Sequence, residues 1–152
     1  MTGVQTCALP ISMTVIEAAI TINSSVDKVW ELVADLDNEP KFWKGTKSVR
    51  TTSKEGNTIK REIIIAFRDS KCMQTITMQP KQRILVTFTE GIVNGTKTMQ
   101  LIPEGEKTRL ETIWDIKMTG MLGMFTGMVK KHIKNGTEQA LESIKQEIEK
   151  RT

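Results

Sequence analysis

The 152-residue sequence predicts one α+β domain, a curved seven-stranded antiparallel sheet wrapped around a long C-terminal helix, with two short helices between strands 1 and 2. Three observations lead there. From Thr46 to Met118 apolar residues recur with period two, and turn residues interrupt them at short intervals, as in consecutive β-hairpins. From about Met124 to Arg151 the period becomes that of an amphipathic helix. Ahead of both lies a β-branched run followed by a helix-start signal.

The elements follow in order. Met13 to Asn23 carries Val15, Ile16, Ile20 and Ile22 among threonines and reads as the first strand. Ser24-Ser25-Val26-Asp27 fits a capping box, with Ser24 as the cap and Asp27 reaching back. The helix after it places Val26, Val29, Trp30 and Val33 on one face, and Asp35, Asp37, Asn38 and Pro40 end it. A second helical turn is expected around Lys41 to Lys44. Turns at Lys54–Asn57, Arg68–Ser70, Gln79–Gln82, Gly91–Gly95 and Pro103–Lys107 then divide the meander into six strands. In the last of them Leu110, Thr112, Trp114, Ile116 and Met118 face one way, and Arg109, Glu111, Asp115 and Lys117 the other. A sheet with one dry face needs a cover. The C-terminal segment supplies it through a stripe of Phe125, Met128, Val129, Ile133, Ala140, Leu141, Ile144 and Ile148. Roughly 28 residues at ~1.5 Å each make a helix of ~40 Å, enough to cross a small sheet.

Composition narrows the class. The chain is 38% hydrophobic and 26% charged, with a formal charge of +4 spread along its length, so nothing marks a nucleic-acid surface. There are nine methionines, three tryptophans and no tyrosine, and methionine adapts to irregular apolar shapes. Residues 1–12 lack both periodicity and the basic start of a signal peptide. They read codon by codon as the translation of a sequencing-adapter oligonucleotide, so we expect a non-native extension followed by a single domain over 13–152. Without Cys7, only Cys72 remains, in a strand, where a buried inert thiol is expected. The apolar stretch Met118 to Val129 is too short to span a bilayer and meets Lys130 and Lys131. The expectation is a cytoplasmic protein with no stable membrane insertion.

The stretch from Ile22 to Trp43, INSSVDKVWELVADLDNEPKFW, resembles the opening of the Bet v 1-like or START-like superfamily, in its polyketide cyclase/dehydrase and coenzyme-Q-binding branches. Leu101 to Leu110, LIPEGEKTRL, looks like the penultimate hairpin of the same group, and the order of elements is that of its helix-grip fold. The resemblance covers nearly all of 13–152. It implies a cavity between sheet and long helix that holds a hydrophobic small molecule. One scaffold hosts carriers, cyclases and co-chaperones, so it does not fix the activity.

Candidate residues follow from that picture. Trp114, Ile116 and Met118 stand on the dry face near the start of the long helix, and Met121, Met124, Phe125, Met128 and His132 on the helix side. Gly120, Gly123 and Gly127 among these methionines suit a gate. Two residues are candidates for proton transfer: His132, the single histidine, and Glu62, in an apolar strand. A lone helical His lacks a partner to set its tautomer, and Glu62 is better read as an outward charge. No spacing of Cys, His, Asp and Glu suggests a metal, no glycine loop suits a phosphate, and no cofactor is expected.

The favoured reading is binding or carriage of a lipid, isoprenoid, quinone or polyketide-like molecule. The alternatives are a cyclase- or dehydratase-type enzyme and an interaction module using the Lys41–Lys47 surface. An inward polar pair would favour the enzyme, a wholly apolar cavity the carrier, and a filled core with a basic outer patch the module. If residues 1–12 are extraneous, deleting them leaves the melting temperature within error. A loss of several degrees in calorimetry would show that they pack on the domain.

Overall fold

Alternating apolar residues commit one face of every strand to the interior, and the register between strands then has to keep those faces together. The computed structural model describes residues 14–119, 123 and 126–151. Its elements are β1 (Thr14–Ile22), α1 (Val26–Val33), a 3-10 turn (Leu36–Lys41), β2 (Thr46–Glu55), β3 (Thr58–Ile65), a short 3-10 turn (Phe67–Asp69), β4 (Ser70–Gln79), β5 (Arg83–Glu90), β6 (Val93–Glu104), β7 (Lys107–Met118) and α2 (Thr126–Arg151). The strands form one sheet in the order β1-β7-β6-β5-β4-β3-β2. Six hairpin-connected strands make the meander, and β1 returns to pair antiparallel with β7, from Thr14 opposite Ile116 to Ile22 opposite Thr108. Register shifts in β2–β3 and at Met73/Gln74 in β4–β5 bend the sheet so that its inner face is concave. This is the helix-grip arrangement expected.

The concave face is covered by α1, the first 3-10 turn and α2. Along α2 the buried positions are Thr137, Ala140, Leu141, Ile144 and Ile148, a spacing that keeps one stripe on the sheet. Leu141, Ile144 and Ile148 each contribute about 1.5–3 kcal/mol by leaving water. The helix lies chiefly along β1, where Lys145 Nζ donates to the Thr21 carbonyl at 2.9 Å and the Asn23 N–H to Glu149 Oε2 at 2.8 Å.

Four local expectations are corrected. The cap of α1 is Ser25, which accepts from the Lys28 N–H, while the buried Ser24 hydroxyl has no partner among the described residues. Ser24 is held instead through its carbonyl, which accepts from Thr108 Oγ1 at 2.8 Å. The second short helix forms earlier than Lys41–Lys44, as the 3-10 turn, because Asp35 and Asn38 close a tight turn by a 2.6 Å side-chain hydrogen bond and Pro40 needs no donor there. In α1 the expected face of Val26, Val29, Trp30 and Val33 does pack on the core but is incomplete, since Leu32 is buried alongside Val29.

The fourth concerns Gly95, read as a turn residue but placed inside β6. Its φ is +116°, and a Cβ there would sit 2.2 Å from the Asp115 carbonyl oxygen of β7. Gly105, in the β6–β7 turn, also has positive φ but open space around it. Gly95→Ala is therefore expected to cost about 3 kcal/mol or more, against about 1 kcal/mol for Gly105→Ala. Urea denaturation of the two variants checks this, and equal losses would contradict it.

Candidate functional site

The inner face of the sheet is largely apolar, with the small polar Thr108 and Thr112 of β7 buried on it, and three other strands turn a longer polar or charged side chain inward. On β3, Arg61 lies in phase with the buried Ile59 and Ile63. On β4, Gln74 lies between Cys72 and Ile76, and on β6 Lys97 is in phase with Val93, Met99 and Leu101. Strand pairing sets Arg61 beside Gln74 and Lys97 beside Trp114.

A side chain as polar as arginine has to recover inside the protein what it loses in leaving water. Arg61 is 1% exposed. Its Nε donates to Gln74 Oε1 at 2.7 Å, and Nη2 donates to both carboxylate oxygens of Glu39, at 3.0 and 2.9 Å. Glu39 comes from the 3-10 turn, so this pair ties that turn to the sheet. Arg61 Nη1 is buried and has no partner among the described residues.

Lys97 is 5% exposed, and its ammonium forms no hydrogen bond or ion pair with the described residues. Its Nζ lies 3.2 Å from the centroid of the Trp43 ring and 5.0 Å from that of Trp114, a cation–π arrangement. The two rings meet edge to face at 6.2 Å, and Phe88 stacks on Trp114 at the same separation. Trp114 Nε1 donates to Thr137 Oγ1 at 3.0 Å, which donates to the Ile133 carbonyl, linking the cluster to α2. Burial pushes the Lys97 ammonium down to about 8; Glu39 opposes that shift and Arg61 adds to it.

Among the described residues a cavity of about 20 Å³, room for roughly one water, lies against Lys97 and Glu39. Leu32, Phe42, Val86 and Ile144 form part of its wall. It lies beneath α1 and the 3-10 turn, whereas the start of the long helix, where a gate was expected, falls largely outside the described residues. The aromatics of the Lys41–Lys44 segment belong to this interior: Trp43 is buried and Phe42 half-buried, while Lys41 and Lys44 are exposed.

The sequence candidates are scattered. Trp114 joins the cluster, and Ile116 and Met118 are buried in the core beside it. Met121, Met124 and Phe125 fall outside the described residues. Met128, at 71% exposed, and His132, also exposed, turn away from the buried stripe of α2, because that stripe continues from Thr137 through Ile133 and Val129. Glu62 lies on the outer face of β3, within 3.4 Å of Arg50 and Lys71. The Arg50 hydrogen bond holds its carboxyl below the ordinary value, with Lys71 adding to the effect. Cys72 is fully buried and burial raises its thiol pKa. Arg61, Glu39, Gln74 and Lys97 were missed. For the three strand residues the available signal was their phase with the aliphatic residues two positions away.

The cluster holds two cationic groups and one anionic group, so it can take an oxygen-rich or anionic group, or place an amine against a bound molecule. It also makes a stability prediction. The folded state penalises the Lys97 ammonium, so below pH 8 the penalty is fully present. As pH rises from about 8 to 10.5 the folded state loses its proton before the unfolded one, and the penalty disappears. Lys97→Met is expected to stabilise the protein at pH 7 by about 1–3 kcal/mol after loss of the cation–π contact. The gain shrinks across pH 8 to 10.5 in urea titrations, and a gain independent of pH would contradict the assignment.

Comparison with known proteins agrees with the architecture. The protein TTHA0849 from Thermus thermophilus has a similar structure with a TM-score of 0.79 at 18% identity, over 91% of this chain and 99% of that one. The Zhui aromatase/cyclase from Streptomyces sp. R1128 has a TM-score of 0.78 at 18% identity, covering 92% and 96%. A START superfamily protein from Mycobacterium smegmatis matches at 0.65 and 12% identity, covering 88% and 99%. These identities establish a shared fold. No curated protein matches the chain by sequence. Residues 13–149 match a sequence family in their own right, and with that match spanning most of the chain the protein belongs to the polyketide cyclase / dehydrase and lipid transport family.

Proposed function

We propose that the protein binds a hydrophobic small molecule carrying one oxygen-rich or anionic end, with that end at Lys97 and the apolar body beneath α1 and the 3-10 turn. The observation that carries the reading is Lys97, nine-tenths buried, facing a cavity and held by no carboxylate among the described residues. Burying an ammonium without an acidic partner is costly, and a ligand oxygen in the cavity would offset the cost. The family description, which includes lipid transport, and the apolar surroundings of Met99, Val86 and Ile144 support the apolar body.

The cavity holds about one water, so a lipid-sized ligand requires the cover to move. The covering layer that can yield is α1 with its 3-10 turn, which the Glu39–Arg61 pair fastens to β3. A ligand carboxylate can take over part of that pairing through Arg61 Nη1, which has no partner among the described residues.

A second reading has its own support. The inward polar set of Arg61, Gln74 and Lys97 is the feature expected of a cyclase- or dehydratase-type enzyme, in which cationic groups stabilise a developing oxyanion. The Zhui aromatase/cyclase shares the fold. Turnover of a ligand that co-purifies with the protein in native mass spectrometry, abolished in Lys97→Met, would move the assignment to that reading.

The binding reading is tested by fluorescence. With three tryptophans and no tyrosine, emission reports on Trp30, Trp43 and Trp114, two of which flank Lys97. Dodecanoic acid and dodecanol are both expected to shift the emission and raise the melting temperature. Lys97→Met is expected to weaken the acid by about tenfold more than the alcohol, the worth of one charge-assisted contact. No shift in emission or melting temperature with either compound would overturn the reading.

A further inference from the structure

We propose that Lys97 is a covalent carbonyl-binding site, whose amine forms an imine with the aldehyde or ketone of an apolar ligand lodged beneath α1. The proposal rests on the binding reading above and adds a bond that reading does not contain.

Three observations place a reactive amine there. The first is the lack of an acidic partner. Lys47, Lys71, Lys81, Lys134, Lys145 and Lys150 each lie within 4.0 Å of a carboxylate oxygen. Among the described residues Lys97 has none, and whereas the other lysines without a carboxylate at that distance are exposed to water, Lys97 is buried. The second is orientation. Nζ lies over the Trp43 ring with Trp114 beside it, and the cavity borders the same side chain. A lysine positioned in this way has little further freedom to lose when a carbonyl carbon arrives. The third is electrostatic: desolvation and the neighbouring Arg61 disfavour the ammonium, which is the condition under which a lysine becomes a nucleophile near neutral pH.

The groups that face Lys97 are Arg61 from β3, with Glu39 and Asp35 at the cavity from the 3-10 turn and its start. Val86 of β5, Trp114 of β7 and Ile144 of α2 close the remaining sides. In the reaction the nitrogen lone pair attacks the carbonyl carbon, and the C=O π electrons move to oxygen. Proton transfer from nitrogen to oxygen gives a carbinolamine. Loss of the second nitrogen proton and departure of the oxygen leave C=N and one water. The cavity beside Glu39 has room for about that one molecule. No oxidant or reductant takes part, and hydrolysis returns the free amine and the carbonyl ligand.

The test uses the full chain with dodecanal and borohydride, whose hydride adds to C=N and converts an imine to a stable secondary amine. Intact mass and peptide mapping then locate the adduct. At pH 7.5 Lys97 is expected to react on the order of 100-fold faster than an ordinary lysine, because the neutral fraction grows tenfold for each unit by which the pKa falls. The rate should climb with pH and level off above about 8, the value to which burial brings Lys97. Lys97→Arg, checked for folding by circular dichroism, should lose the fast adduct. If it does not fold, the peptide map of the unmodified sequence decides alone. Labelling spread evenly over surface lysines overturns the proposal. If dodecanol shifts tryptophan emission while dodecanal leaves no adduct on Lys97, imine formation is overturned and the binding reading stands. If neither compound acts, both fall.

Discussion

A guanidinium that is 1% exposed has surrendered its hydration, and the surroundings of Arg61 return most of it through Gln74 and Glu39. Because Glu39 belongs to the 3-10 turn, that turn must sit against β3 for the exchange to work. Where the turn sits fixes Trp43 two residues beyond it, and Trp43 in turn fixes Lys97. Breaking such a pair by removing one partner typically costs about 3–5 kcal/mol, because the other charge is left buried. A well-packed apolar pair would be about as stable. What the ions add is position, since a hydrogen-bonded carboxylate has far fewer acceptable places than a leucine.

The same account explains why the cavity is small. Aromatic rings and long aliphatic stems occupy the concave face around Lys97, so a single lysine both fills space and carries charge. Burial, with Arg61 adding to it, brings the pKa of its ammonium down to about 8, with Glu39 working the other way. A site balanced in this way responds to whatever enters: an anion shifts Lys97 towards the charged form, and an apolar carbonyl towards the neutral one.

Much of the fold was legible because it rests on periods. The alternation in Leu110 to Met118 named the inner face of β7 correctly, and the α2 stripe was right from Val129 to Ile148. It failed at Met128, where helical spacing alone could not say how far the sheet extends beneath the helix. The site was less legible for a specific reason. Arg61, Gln74 and Lys97 occupy inward positions that the pattern assigns to aliphatic residues, and a polar residue there reads as noise unless the phase of the strand is trusted. In β3, Lys60, Arg61 and Glu62 are adjacent, and only the flanking Ile59 and Ile63 say that Arg61 is the inward one. Glu39 had no periodic signal, because its partner is distant in sequence and its turn follows from local Asp, Asn and Pro chemistry.

The pairing of β1 with β7 also orders the chain in time. The six strands of the meander close through short turns, so each can zip onto its predecessor as soon as both exist. Strand β1 cannot. Thr14 pairs with Ile116, and roughly a hundred residues of intervening chain must be drawn together before that ladder forms, a non-local step that slows folding. During synthesis from the N-terminus, β1 therefore waits unpaired until the final strand appears. Helix α2 follows at once and packs mainly on β1, so ladder and helix cover it almost together. The first strand made is among the last to find its place.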